Sequence, residues 1–472
     1  MVFSSVLFLL YFLPVFLLVY HFIDKKYKNY WVVLSSIFFY AWGAPKFIFV
    51  VLISSLVDFL LVKQLHKAKE QKNKRFWLIG SIVLNLGLLG YFKYANFFVD
   101  NLNFFLEQLG TSSIRWTEVM LPIGISFYIF QSITYAVDVY RGQHEPVKKI
   151  SHYFLYILSF PQLIAGPIVK YNAIAGQLAE RNEQVDDQLL GFFRFTVGLA
   201  KKVLIANVMG EQADAILNGA IDSVSTTTVW IGVLAYTFQI YFDFAGYSDM
   251  AIGLGRMIGF KFPENFNSPF LSRNISEFWR RWHMTLGGFM KEYLYIPLGG
   301  NRVTKQRMYF NLIVVFTLSG LWHGASWNFV LWGIYHGIFL ILDRLFLIRV
   351  LDKLGKIPSI IFTFIIVVIG WAIFRMENVD NMIIVLNKMF VPDFTSQTTL
   401  NPDFLGILIV AIFFSLVAGF KWGQRLENVC FYQEKMNLKQ LPVYFSVAII
   451  LFILSLSAIE ATGFNPFIYF RF

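Results

Sequence analysis

Residues 308–342 read MYFNLIVVFTLSGLWHGASWNFVLWGIYHGIFLIL, 35 residues without one Asp, Glu, Lys or Arg. At about 1.5 Å per residue this run would make a helix of roughly 52 Å, against a hydrocarbon core of about 30 Å. It is therefore expected to enter a bilayer and to break there, near residues 324–328, where Gly324, Ser326 and Asn328 interrupt the apolar pattern. The whole chain fits that reading. It is 57% hydrophobic, 19% aromatic and only 15% charged, where a soluble domain carries about 25% charge. This is the composition of an integral membrane protein.

The formal balance of +11 raises nucleic acid as a partner, but the lysines and arginines occupy short loops between apolar runs, where the positive-inside rule puts them. No nucleic-acid partner is expected; the charge reports orientation. Loops 24–29, 63–75, 141–150, 256–307, 343–357 and 421–439 are basic and are expected in the cytoplasm, whereas 93–118, 210–226 and 376–403 are poor in Lys and Arg. Threading spans between them gives 3–23, 31–42, 47–62, 76–92, 119–140, 188–209, 228–255, 308–323, 326–342, 358–375, 402–420 and 440–458, with both termini outside. Residues 151–169, interrupted by Pro161 and Pro167, read as a re-entrant segment. Lys25, Lys26 and Lys28 follow the first apolar stretch instead of preceding it, so residues 1–22 are expected as a retained span and not a signal peptide. The single Cys430 excludes an intramolecular disulfide. One polytopic domain over residues 1–472 is the simplest organisation.

Residues 272–301 are amphipathic and too charged to span. Asn274 followed by Glu277 is a helix start of capping-box type. Ile275, Phe278, Trp279, Trp282, His283 and Leu286 then share one helical face, which puts His283 on the buried side of a cytoplasmic interfacial helix. Such a helix is commonly just anchored by its Trp and Arg residues, with the histidine in a satisfied slot. Arg280, Arg281, Lys291, Arg302, Lys305 and Arg307 make a basic surface, suited to the phosphates of a donor and equally to anionic lipid.

His323 lies deep in the apolar run, and an ionisable residue at membrane depth marks a functional site or a hydrogen bond across helices. Gly320 and Gly324 allow a neighbouring backbone to approach closely, and Ser319, Ser326 and Trp327 surround the histidine on a helical projection. His336 would be about 20 Å away on a continuous helix and is read as structural. An imidazole, with an ordinary pKa of about 6.5, suits deprotonation of a hydroxyl in acyl transfer. Asp243 is a candidate orienting acid from another apolar run, and Asp249 is expected to pair with Arg256, seven residues on.

These stretches resemble the membrane-bound O-acyltransferase (MBOAT) family. The resemblance runs through MVFSS at 1–5, YFKYAN at 91–96, LPIGISF at 121–127 and QIYFDFAGYSD at 239–249; FWRRWH at 278–283, YIPLGGNR at 295–302 and GLWHGA at 320–325 are the most specific. Within the family the chain is most similar to the branch of the alginate O-acetylation membrane subunit with its peptidoglycan O-acetylation relatives, and the lipoteichoic-acid D-alanylation member is a cousin.

The resemblance implies an all-α polytopic fold of about 11–13 transmembrane or re-entrant helices around a central tunnel, with interfacial helices. It implies His323 as the catalytic base and His283 beside the cytoplasmic funnel, with acetyl-CoA as donor and no metal. Trp279, Arg280, Arg281, Trp282, Asn301, Arg302, Ser319 and Trp322 are the expected donor-binding or tunnel residues. The ending FIYFRF at 467–472 resembles the tail of the small companion peptide of the D-alanylation system, whose tyrosine is proposed to carry the acyl group. Tyr469, in the tail 462–472, is thus a candidate shuttle; from Thr462 to Tyr469 an extended backbone reaches about 23 Å, enough to dip into an outer mouth. An aromatic belt with Arg471 snorkelling is the alternative. The expected function is O-acetylation of an alginate-like exopolysaccharide or peptidoglycan from a bacterial inner membrane, through an extracytoplasmic or membrane-tethered transferase partner. A lipid or protein acyltransferase of the same family, or a polysaccharide or solute transporter, are the rival readings.

Overall fold

The computed structural model describes residues 1–219, 221–393, 400–437, 439–463 and 468. Helices carry the fold, and no strand occurs among the described residues. The architecture is all-α and polytopic, as a backbone that must satisfy its own hydrogen bonds in lipid requires. Among the described residues, Phe47–Lys67, Gln71–Gln108, Lys356–Arg375 and Leu441–Thr462 are each long and apolar enough to cross a bilayer unaided. Phe404–Gly419 and Lys421–Tyr432 make one further span only through a 99° bend. The chain divides into two compact units.

The first unit comprises Met1–Val2, Leu7–Asn182 and Phe260–Pro263. Its longest helix does not stop where the charge pattern ends the span at residue 92. It continues through the π-helical turn Gly90–Tyr94 to Gln108, because residues 91–109 hold neither Gly nor Pro to end it. In the segment expected to be re-entrant, Ile150–Leu158 breaks at Ser159 and a single turn, Phe160–Leu163, follows.

The second unit comprises Phe3–Val6, Glu183–Gly259 and Glu264–Phe472. Val185–Ala200 continues through Lys201–Ala206 and Asn207–Leu217 and packs along the 32-residue helix Thr226–Met257. The apolar run that opened the analysis folds as two helices, Lys305–His323 and Trp327–Leu342, with the break at residues 324–326. These two helices pack closely on each other. A Cβ on Gly320 would stand 2.1 Å from the carbonyl oxygen of Phe329, and one on Gly333 would stand 2.3 Å from that of Phe316. Only glycine permits backbone contact at this range.

The interfacial segment departs from the single amphipathic helix expected over 272–301. Asn274 caps it as predicted, its Oδ1 accepting from the Glu277 amide at 2.7 Å. The helix ends at Arg281, however, and a second one, Met284–Phe289, begins after a turn. The cause is a competing partner for the backbone. Asn267 N–H donates to the Arg281 carbonyl and Met284 N–H to the Asn265 carbonyl, both at 2.9 Å, which pulls the chain out of helical register. The burial pattern survives the break: Ile275, Phe278, Trp282, His283 and Leu286 are all buried.

Gly320→Ala is expected to destabilise the protein by about 3 kcal/mol, at the upper end of overpacking costs. Gly406→Ala, where an added Cβ meets nothing within 4 Å, stays within about 0.5 kcal/mol. Thermal unfolding of the two variants in detergent measures the difference.

Candidate active site

The site is built in the second unit around the end of one helix. Lys305–His323 stops at the histidine, and Gly324 turns extended at φ −163°. The break is stitched by Asn328: its Oδ1 accepts from the Ser326 hydroxyl and its Nδ2 donates to the Phe374 carbonyl at 3.2 Å. His323 therefore sits where helix carbonyls end, and the helix dipole there favours a positive charge by about 0.3–1 kcal/mol. Its ring is 6% exposed. Trp322, Phe374 and Trp332 meet it edge-on, with centroids at 5.0, 5.2 and 5.3 Å.

The His283 ring lies 6.4 Å from it between centroids. It is 2% exposed and occupies the left-handed region at φ 44°, which with Ser268 makes it one of two non-glycine residues of positive φ among those described. A backbone held there costs about 1–2 kcal/mol, and strain of this kind collects at functional sites. Its Nδ1 lies 3.0 Å from Asn265 Oδ1. The Thr285 backbone amide points at the same Asn265 atom, and an amide only donates, so that atom is oxygen and His283 Nδ1 carries the proton. Its Nε2 is then a lone pair; it has no partner among the described residues. Asn265 is fixed in turn by Nδ2 donating to Ser248 Oγ at 3.0 Å.

The sequence-predicted residues divide. His283, His323, Trp322 and Trp282 come together in one buried cluster, and Ser319 is buried one turn before His323. Trp279 packs on Trp332 and on His336, at 5.4 and 4.9 Å. The helix break thus places His336 only one ring, Trp332, away from His323. Asn301 and Arg302 are exposed, and Asn301 accepts from the Tyr295 hydroxyl and from Arg344. Arg281 is spent on Glu277 at 2.9 Å and on the Asn267 carbonyl. Burial pushes the Glu277 carboxyl up, but the Arg273 amide and the Arg281 guanidinium together hold it below the usual range. Arg280, Lys291, Arg302, Lys305 and Arg307 remain exposed cations.

Two expectations about acids are corrected. Asp243 is not aimed at an imidazole: its Oδ1 is 2.7 Å from Lys202 Nζ, its Oδ2 accepts from the Ile468 amide at 2.8 Å, and the ion pair is almost fully buried. Asp249 does not pair with Arg256. It binds Arg194 and Lys201, at 2.8 and 2.7 Å, while Arg256 binds Asp187. Buried charges take the nearest opposite charge on a facing helix, where low dielectric makes pairing mandatory. Tyr469 lies outside the described residues, but Ile468 is buried and lines a cavity of about 240 Å³ with Gly324, Phe329, Phe374 and Arg375. Leu217, Asn218 and Ile221, with Arg375, Glu377 and Asn381, from two loops that the charge pattern puts on the same side, line a second cavity of about 730 Å³.

Sequence reasoning missed Asn265, Lys202 and Trp332. Lys202 carried a usable signal, a cation inside a predicted span that demands an acid from another. Asn265 carried none, since a loop asparagine is ordinary until the chain folds back on it.

Comparison with known proteins adds the chemistry. A profile described as the membrane-bound O-acyltransferase family matches residues 34–374. The chain is 37% identical to the probable alginate O-acetylase of Azotobacter vinelandii, across 100% of both chains. It is 38% identical to the peptidoglycan O-acetyltransferase of Helicobacter pylori, over 82% of this chain and 80% of that one. A teichoic acid D-alanyltransferase of Streptococcus thermophilus is 29% identical over 49% of this chain and 59% of its own.

Lys202→Met leaves Asp243 buried without its cation and is expected to cost about 3–5 kcal/mol, whereas the double replacement Lys202→Met with Asp243→Leu recovers most of that loss. A double-mutant cycle on thermal unfolding reads the difference.

Proposed function

The chain belongs to the membrane-bound O-acyltransferase family, and on that premise we propose that it moves acetyl groups from cytoplasmic acetyl-CoA across a bacterial inner membrane to O-acetylate an extracytoplasmic polysaccharide of alginate or peptidoglycan type. That it is a membrane acyltransferase follows from the family and its relatives. The observation that carries the finer reading is a pair of imidazoles 6.4 Å apart in an otherwise aromatic core, with a cavity beginning at the residue after one of them. The relatives that match along their length are named as O-acetylating enzymes.

In this reaction the exposed cations Arg280, Arg302, Lys305 and Arg307 attract the donor's phosphates. His283 accepts from an N–H of the donor arm through Nε2, because its Nδ1–H is committed to Asn265. His323 takes the proton of the attacking hydroxyl. The hydroxyl oxygen bonds to the thioester carbonyl carbon, the C–S bond breaks, and the proton passes from His323 to the leaving sulfur. The helix C-terminus stabilises the transient imidazolium. Tyr469 is the first acceptor in this scheme. Support comes from its neighbour Ile468, whose backbone is held at Asp243 and whose side chain reaches the cavity next to Gly324. A secreted or membrane-tethered transferase then takes the acetyl group to polysaccharide hydroxyls.

Purified protein with labelled acetyl-CoA is expected to lose transfer by a factor of about 10²–10⁴ in His323→Ala; unchanged transfer removes His323 from the chemistry. Tyr469→Phe is expected to abolish acetylation of the partner while chromatographic behaviour and unfolding temperature stay at wild-type values. Full activity in that variant makes the tail a structural element.

A further inference from the structure

His323 and the 240 Å³ cavity are neighbours without being joined. Ser326, Asn328, Arg375 and Glu377 supply polar groups to a cavity otherwise walled by apolar side chains, Glu377 is exposed, and a space this roomy with several polar partners is able to hold water. Among the described residues, Phe374 stands between it and the imidazole, with Phe329 packed on Phe374 and on Gly324. Phe374 touches the His323 ring at 5.2 Å on one side and lines the cavity on the other. Phe329 also lines the cavity and meets Phe374 edge-to-face at 4.8 Å. The seal is close: a Cβ on Gly324 would lie 2.0 Å from the Phe329 ring, so that ring rests on the bare backbone next to the histidine. Asn328 fixes the partition from behind by donating to the Phe374 carbonyl.

We propose that Phe329 and Phe374 form a water barrier that makes the acyl-transfer site choose an alcohol over water. The need for one is chemical. A base able to deprotonate a hydroxyl also deprotonates water. Water oxygen would then attack the thioester carbonyl, the C–S bond would break, the proton taken by His323 would go to the sulfur, and the products would be acetic acid and free thiol. Closing a site against solvent is the general remedy for such a side reaction. A tethered or bulky acceptor supplies contacts that displace the phenyl pair, and a lone water molecule supplies none.

The proposal rests on His323 as the base, and its test has one arm independent of that assignment. In the full chain carrying Cys430→Ser and His323→Cys, the new thiol is expected to react slowly with a charged, water-soluble methanethiosulfonate. Trimming the barrier by Phe374→Ala or Phe329→Ala is expected to raise that rate about ten-fold, and Phe374→Leu, milder for folding, to raise it less. Fast labelling with both rings present, or equal rates in all four proteins, overturns the barrier. In the second arm, with both histidines intact, Tyr469→Phe in every protein and no other acceptor added, Phe374→Ala is expected to release thiol from acetyl-CoA about ten-fold faster than the Tyr469→Phe parent, and adding His323→Ala abolishes the gain. If labelling rises while no variant cleaves acetyl-CoA, the barrier stands and the donor assignment fails.

Discussion

A helix that stops inside its own apolar run is the constraint on which this site depends. Ending a helix leaves up to four carbonyls and four amides without partners, and in lipid each such group is expensive. The chain limits the damage to residues 324–326 and restores backbone bonds there through the Gly324 amide, which still reaches the Gly320 carbonyl at 3.3 Å, and the Ser326 carbonyl, which accepts from the Val330 amide at 3.4 Å, while Asn328 ties the break to the Phe374 carbonyl. The repair requires the second helix to return at once, and the glycine contacts between Lys305–His323 and Trp327–Leu342 allow that. The histidine at the end has the helix C-terminus on one side and Trp322, Trp332 and Phe374 against its ring. Its place at a helix end and its seclusion have one structural cause.

Buried charges set the position of the second imidazole. Arg194 binds Asp249 and Glu264 together, Lys201 adds to Asp249, and Lys202 pairs with Asp243. Desolvating these groups is costly enough that the pairs are poor evidence for stability. What they impose is register between Val185–Ala206 and Thr226–Met257 and, through Glu264, the place where the following loop lands. Asn265 is the next residue, and Asn265 holds His283. A shift of the long helices would thus reach the active site through one carboxylate and one amide.

How much of this was legible follows from what kind of information each feature needs. The broken run, the Asn274 cap and the buried face of 275–286 rest on spacing along the chain, so sequence sufficed. The resemblance carried by FWRRWH and GLWHGA singled out both histidines, and they do meet. The helix break at His283 was not readable, since periodicity describes an isolated helix and the break comes from amides of residues 267 and 284 bonding elsewhere. The partners of Asp243 and Asp249 failed for a related reason. Seven-residue spacing on one helix suggested Arg256, but the winning cations lie about 50 residues away on a helix that folding brings alongside.

The two imidazoles are not interchangeable on the proposed mechanism, and electrostatics explains why one suffices as base. Two positive charges 6.4 Å apart repel by about 2–3 kcal/mol even at an effective dielectric of about 20, so the pair holds one extra proton far more readily than two. His283 has its Nδ1–H fixed by Asn265 and faces Phe244 at 4.6 Å, with no helix carbonyls gathered behind it. His323 stands at a helix C-terminus, where the field favours the cation. On that mechanism the proton taken from the acceptor goes to His323. His283, with its Nδ1–H on Asn265, would keep the Nε2 lone pair for the donor, so the proposed division of labour traces to Asn265 on one side and to the broken helix on the other.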